Sequence, residues 1–234
     1  MRLSTFCVSS EMKPLELIGE SVAPDGTDMK LTLRDREYVI LANGRSLMSS
    51  RMHGSEEALA TLACFRVRTM EQPCVLLGGL GMGFTLRATL DLLPSGGRVI
   101  VAELVAAVLE WNRGPLGPLA GHPLKDERVS VDVNDVWTAL SSNAGRFDAV
   151  LLDVDNGPTA FASSSNSRLY DDRGLGCAHA ALKTGGVLAV WSAREDRKFE
   201  QRLRYAGFTV EVHAVRGRLK KGGPRHTIYI GHRG

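Results

Sequence analysis

Two groups of residues carry types and spacing suited to chemistry. The first is Val75-Leu76-Leu77-Gly78-Gly79-Leu80-Gly81-Met82-Gly83, with Glu103 twenty positions after the last glycine. A nucleotide seats at the carboxyl end of a strand, against the start of the next helix. Side chains at that turn would block its approach, which glycine avoids. A carboxylate at the end of the following strand can accept hydrogen bonds from both ribose hydroxyls. The glycines run Gly79-x-Gly81-x-Gly83, and position 84, where the dinucleotide fingerprint needs a third glycine, is Phe84. This moves the reading from NAD toward an S-adenosyl nucleoside. Gly78, Gly79, Gly81, Gly83 and Glu103 are the candidate cofactor residues. A tight structural turn and a helix-capping Glu103 are the plainer alternatives.

The second group is acidic. Asp135 follows Asn134 after a third apolar run, and can accept from an adenine amino group or cap the helix that starts at Val136. Phe147 to Leu152 is a continuous apolar run that leads into Asp153-Val154-Asp155-Asn156-Gly157-Pro158. Asp153 at that strand tip is placed to orient or deprotonate an attacking amine. Asp155 is the second candidate catalytic acid, and Asn156 a candidate substrate contact. The plainer alternative is that both acids anchor the turn at Asn156-Gly157-Pro158.

The elements that must position these residues follow from periodicity. Before residue 54, short alternating runs at Leu15–Gly19, Met29–Leu33 and Tyr38–Leu41 are separated by turn signals at Pro24-Asp25-Gly26, Arg34–Glu37 and Asn43-Gly44. They predict a small antiparallel β region over 1–53. From Gly54 a helical face of Ala58, Leu59, Leu62, Ala63 and Phe65 begins, with Ser55 as candidate cap. Strands and helices then alternate to the end of the chain. This predicts a Rossmann-like, doubly wound, mostly parallel sheet over 54–234. Phe208–Val212 and Thr227–Ile230 have no helix between them, so they predict a hairpin with an antiparallel edge strand. The connection from Asp155 to Tyr170 is rich in Ser, Asn and Gly and is long for a compact domain, which suits a lid.

Bulk properties exclude several classes. The chain has 234 residues, 44% of them hydrophobic, and a formal charge of +3. No stretch reaches membrane-spanning length, and the first ten residues lack a signal-peptide core. The expectation is a cytoplasmic protein. Cys7, Cys64, Cys74 and Cys177 form no Cys-x-x-Cys pair and have no histidines at ligand spacing, so neither a disulfide framework nor a metal site is expected. Arg216, Arg218, Lys220, Lys221 and Arg225 form a basic run without acids. It reads as a solvated hairpin loop in preference to a nucleic-acid site. His53 and Trp111 read as a turn residue and a packing residue.

Taken together, the β region, the helix bearing Glu56, the glycine turn, Glu103, Asn134-Asp135 and the Asp153 strand end resemble the spermidine synthase family over nearly the whole chain. The resemblance implies a seven-stranded transferase fold with an N-terminal β appendage, a homodimer, and an S-adenosyl-type cofactor. It makes Glu56 a candidate substrate contact; by position alone, Trp191 at the end of the fifth strand and Tyr170 beside the lid are pocket-lining candidates, with core aromatics as the equal alternative. Members of that family carry an Asp in the glycine turn, where this chain has Gly81. That Asp pairs with the amine of decarboxylated S-adenosylmethionine and repels the carboxylate of the ordinary form. Two charges about 4 Å apart interact by roughly 4 kcal/mol at moderate dielectric, enough to decide cofactor choice. The polyamine-contacting residues before the family glutamate are replaced by Gly54 and Ser55. The preferred expectation is therefore an S-adenosylmethionine-dependent methyltransferase acting on a small molecule, with an amine as the expected acceptor. The alternatives are an aminopropyltransferase using decarboxylated S-adenosylmethionine, an RNA-modifying methyltransferase, and a non-catalytic nucleoside-binding protein.

Overall fold

The computed structural model describes residues 14–154, 157–159, 166–218 and 223–234. Four strands come first: β1 (Glu16–Val22), β2 (Asp28–Arg34), β3 (Glu37–Ala42) and β4 (Arg45–Ser49). They form one antiparallel sheet in chain order. The corner between β2 and β3 is Asp35-Arg36, both at positive φ, and Asn43-Gly44 turns the same way between β3 and β4. Such two-residue turns match the twist of the strands they join.

Helix α1 (Gly54–Ala63) then leads to β5 (Cys74–Gly78), α2 (Phe84–Leu92), β6 (Arg98–Ala102), α3 (Ala106–Arg113), β7 (Val129–Asp132) and α4 (Val136–Ser141). After them come β8 (Phe147–Leu152), α5 (Asp172–Ala181), β9 (Leu182–Ser192), α6 (Arg197–Tyr205), β10 (Phe208–Arg216) and β11 (Arg225–Arg233). The second sheet has the order β10-β11-β9-β8-β5-β6-β7. Its pairings are parallel from β9 to β7, while β11 is antiparallel to both of its neighbours. The strand closing the sheet is thus β10, and the antiparallel strand lies one place in from the edge.

Alternation along the central strands fills both faces. Val75 and Leu77 of β5 join Ala149 and Leu151 of β8 in one core with residues of α1, α2 and α3. Leu76, Val150 and Leu152 point the other way, into a core with α4, α5 and α6. Each such side chain contributes about 1.5–3 kcal/mol on burial. Met29, Leu31 and Ile40 of the small sheet enter the first core, so the N-terminal strands pack into the main body.

Two local expectations are corrected. Ser55 does not cap α1. The cap position is His53, and no side chain bonds to the helix start. Phe65 falls beyond the helix end and is exposed, with the Arg68 guanidinium 4.3 Å above its ring. Among the described residues, no helix is long and apolar enough to cross a membrane.

Candidate active site

The strand order places the site. From β5 the chain winds outward through β6 and β7, then returns to lay β8 on the other side of β5. The carboxyl ends of β5 and β8 therefore part at a crevice, where ligands of such sheets bind. Gly79 follows β5 and Asp153 follows β8. The Asp153 amide donates to the Gly78 carbonyl at 2.9 Å, and the Gly79 amide donates to the Ala102 carbonyl at 3.0 Å. A Cβ on Gly79 would come within 2.6 Å of the Asp153 carbonyl oxygen, and Gly79 has φ +84. Only glycine admits this approach.

A cavity of about 1230 Å³ opens here. Gly79, Gly81, Glu103, Asp135, Glu56, Asp153 and Trp191 all line it. Gly78 and Gly83 do not. They shape the turn from behind, where Gly78 packs on Leu152 and Val136, and Gly83 on Asn112 and Pro123. Tyr170 is also absent from the lining. It is buried in the second core, edge-on to Phe199, and its hydroxyl donates to the Val154 carbonyl at 3.3 Å. It supports the strand end from below and does not close over the site. Asp155 and Asn156 lie outside the described residues, as do Lys220 and Lys221 and most of the expected lid. His53 stacks on Phe84, with ring centroids 4.2 Å apart, and lies away from this cavity.

Glu103 is buried, and its carboxylate does two jobs. Oε2 accepts from the Leu80 amide at 2.9 Å, and Oε1 from the Val105 amide at 2.8 Å. It thereby ties the glycine turn to the start of α3. Asp135 caps α4 by accepting from the Trp137 amide at 2.9 Å, and it pairs with Arg168. Asp135 thus caps its helix and also lines the cavity, whereas among the described residues no side chain caps α3, and Glu103 bonds the amide of Val105, the residue before that helix.

The electrostatic centre is Glu56 with Asp153. Both face the cavity, Glu56 buried in the first turn of α1 and Asp153 half-buried at the tip of β8. Burial pushes the Glu56 carboxyl up to about 8, helped by the nearby Asp153 charge and opposed by a 2.7 Å hydrogen bond from the Ser55 hydroxyl. Burial also raises Asp153, against a 2.6 Å hydrogen bond from the Thr85 hydroxyl. Like charges held together in low dielectric keep one proton between them. The pair can accept a proton near neutral pH and can hold a cation.

Sequence reasoning missed four contributors. Thr85 orients Asp153 from the first turn of α2. Asn112 of α3 donates to the Gly81 carbonyl at 2.8 Å and holds the turn. Met48 of β4 reaches over Gly81, and His226 of β11 bonds Ser55 at 2.9 Å. Each is distant in sequence from what it touches, and only the strand order could have paired them. Trp191 keeps a buried Nε1 without a hydrogen-bond partner among the described residues, and its ring meets His226 edge-on at 4.6 Å.

No family model matches the chain, and no curated protein matches it. Solved structures do. The spermidine synthase of Thermotoga maritima superposes with a TM-score of 0.74 at 17% identity, covering 93% of this chain and 73% of that one. This chain has a spermidine-synthase-like fold. A spermidine synthase in complex with the transition-state analogue AdoDATO gives a TM-score of 0.72 at 18% identity, with 93% and 72% covered. A probable spermidine synthase from Corynebacterium glutamicum gives 0.62 at 17% identity, with 93% and 80% covered. The spermidine-synthase-like frame extends to the four-stranded N-terminal sheet, whose β4 forms one wall of the cavity.

Proposed function

We propose that this chain is a transferase that moves the aminopropyl group of decarboxylated S-adenosylmethionine to a small amine. The observation that carries the reading is the Glu56–Asp153 pair, open to the same cavity as Gly79, Gly81 and Glu103. The residues present suit the nucleoside. Gly79 leaves a bare backbone wall, and the buried Glu103 faces the cavity. When bound, such a donor supplies a sulfonium leaving group. The protein has only to align the amine, exclude water and take up a proton.

Asp153, held by Thr85, orients the amine and accepts its proton as the nitrogen–carbon bond forms and the carbon–sulfur bond breaks. Glu56 shares that proton. Asp25, Glu56, Glu103, Asp135, Asp153 and Glu195 line the cavity, against Arg45 and Arg194. This acidic excess disfavours a donor that carries its own carboxylate. It supports aminopropyl transfer over methyl transfer, as does the likeness to spermidine synthases.

One observation favours methyl transfer as the second reading. At Gly81 the turn has no acid to pair with a donor amine, and Met48 fills the space. The test is incubation of the protein with each donor and a panel of diamines and polyamines, with product masses read out. Aminopropylated product is expected. Methylated product alone would select the second reading, and donor binding without any transfer would select a non-catalytic binder.

A further inference from the structure

Ser55 is fully buried, yet its hydroxyl does not cap the helix it begins. It is occupied twice. It donates to Glu56 Oε2 at 2.7 Å, and it meets His226 Nδ1 at 2.9 Å from a strand 171 positions away. A hydroxyl has one proton. While it donates to Glu56, the His226 nitrogen must be the donor to Ser55. If Glu56 is protonated and donates instead, the Ser55 proton turns to His226 Nδ1, and the ring hydrogen sits on Nε2.

The geometry is held rigidly. The Gly54 amide donates to the Gly217 carbonyl at 3.0 Å, which ties the start of α1 to the mouth of the β10–β11 hairpin. His226 pairs with Val215 in that hairpin and rests against the Trp191 ring. The ring is half-buried and lines the cavity wall.

We infer that Ser55 and His226 form a proton path that serves Glu56, carrying to the cavity rim the proton released by the acceptor amine. This rests on the transfer reading above. The step balances. The Glu56 O–H bond breaks as its proton passes to Ser55 Oγ, the Ser55 proton passes to His226 Nδ1, and His226, briefly imidazolium, releases its Nε2 proton to water. The end state has His226 donating to Ser55 and Ser55 to Glu56, across the same two contacts of 2.9 and 2.7 Å. His226 and Ser55 touch neither donor nor acceptor in this scheme and act as positioning and relay residues.

The charged groups around the path are Asp153 at the end of β8, Glu57 on α1, Arg194 and Glu195 after β9, and Arg216 and Arg225 at the hairpin mouth. Burial holds His226 below its ordinary value, so the ring is neutral at neutral pH and able to accept.

The test follows the His226 ring nitrogens by nitrogen-15 NMR in the free, full-length protein. Across the ionisation of Glu56, near pH 8, the ring should switch from the Nε2–H to the Nδ1–H tautomer as pH rises. The switch should vanish in Ser55→Ala and in Glu56→Gln. In the transfer reaction, Ser55→Ala and His226→Gln should each lower kcat by about ten- to a hundredfold. Their KM values should stay near wild type, and Ser55→Thr, which restores the hydroxyl, should recover turnover. A ring that keeps one tautomer throughout overturns the path, as does an unchanged kcat-against-pH profile in both variants. The NMR result needs no substrate, so it decides the wiring even if the transfer reading fails.

Discussion

A Cβ on Gly81 would lie 2.7 Å from Met48 Sδ and 2.8 Å from its Cε. The small N-terminal sheet thus reaches into the glycine turn and fills the place of the missing side chain. An acid at position 81 requires the flexible end of Met48 to move aside, at a backbone position with φ +54. Gly81→Asp alone should cost about 1–3 kcal/mol, from the left-handed backbone at φ +54 together with displacement of Met48. Met48→Ala in the same chain should return part of that loss, and the double variant should favour decarboxylated S-adenosylmethionine more strongly than wild type. Denaturant midpoints and donor affinities check both halves. Additive losses in the double variant would show that the two residues do not share the space.

Thr85 holds Asp153 in its charged form by hydrogen bonding. Asp153→Asn should lower kcat about a hundred- to ten-thousandfold while donor affinity changes little. Thr85→Val removes the bond that opposes the raised Asp153 value, so Asp153 should ionise at higher pH. The acidic limb of the kcat profile, where the base must lose its proton, should move to more alkaline pH in Thr85→Val. A shift in the acid direction would contradict the assignment of Asp153 as proton acceptor.

Glu56 ionises at about 8 in the folded chain and near 4.5 when exposed. Between these values the folded state binds the extra proton, so this residue's contribution to stability is greatest in acid and falls as pH rises through the window. Glu56→Gln should raise the denaturation midpoint relative to wild type above pH 8, with little gain near pH 5. Parallel pH–stability curves for the two proteins would mean that Glu56 is not buried as a carboxylic acid.

Tyr170 lies under the strand end and not in the cavity wall. Tyr170→Phe loses a 3.3 Å hydrogen bond to the Val154 carbonyl, at a cost of about 1 kcal/mol. Stability should fall by about that amount, and acceptor KM should stay within about threefold, because the residue does not line the cavity. A tenfold rise in KM with stability unchanged would return Tyr170 to the substrate site.

The alternating apolar runs made the frame legible before any coordinates. The β5 glycine turn and the β8 run to Asp153 both sit where the sequence put them, because buried parallel strands write themselves as unbroken hydrophobic segments. The local capping of Asp135 was legible for the same reason: it needs only near neighbours. What the sequence hid depends on strand order. Ser55 looks like a cap until β11 brings His226 to it, and Gly81 looks open until β4 brings Met48 over it. Tyr170 was misplaced because nothing local distinguishes an aromatic that lines a cavity from one that packs beneath its wall.

The central claim is that this cavity holds an S-adenosyl-type nucleoside and prefers the donor without a carboxylate. Titration calorimetry of the wild-type protein with decarboxylated and ordinary S-adenosylmethionine tests it directly. Tighter binding of the decarboxylated donor, lost for both donors in Glu103→Gln, is the predicted result. Tighter binding of ordinary S-adenosylmethionine, or failure to bind either donor, would contradict it.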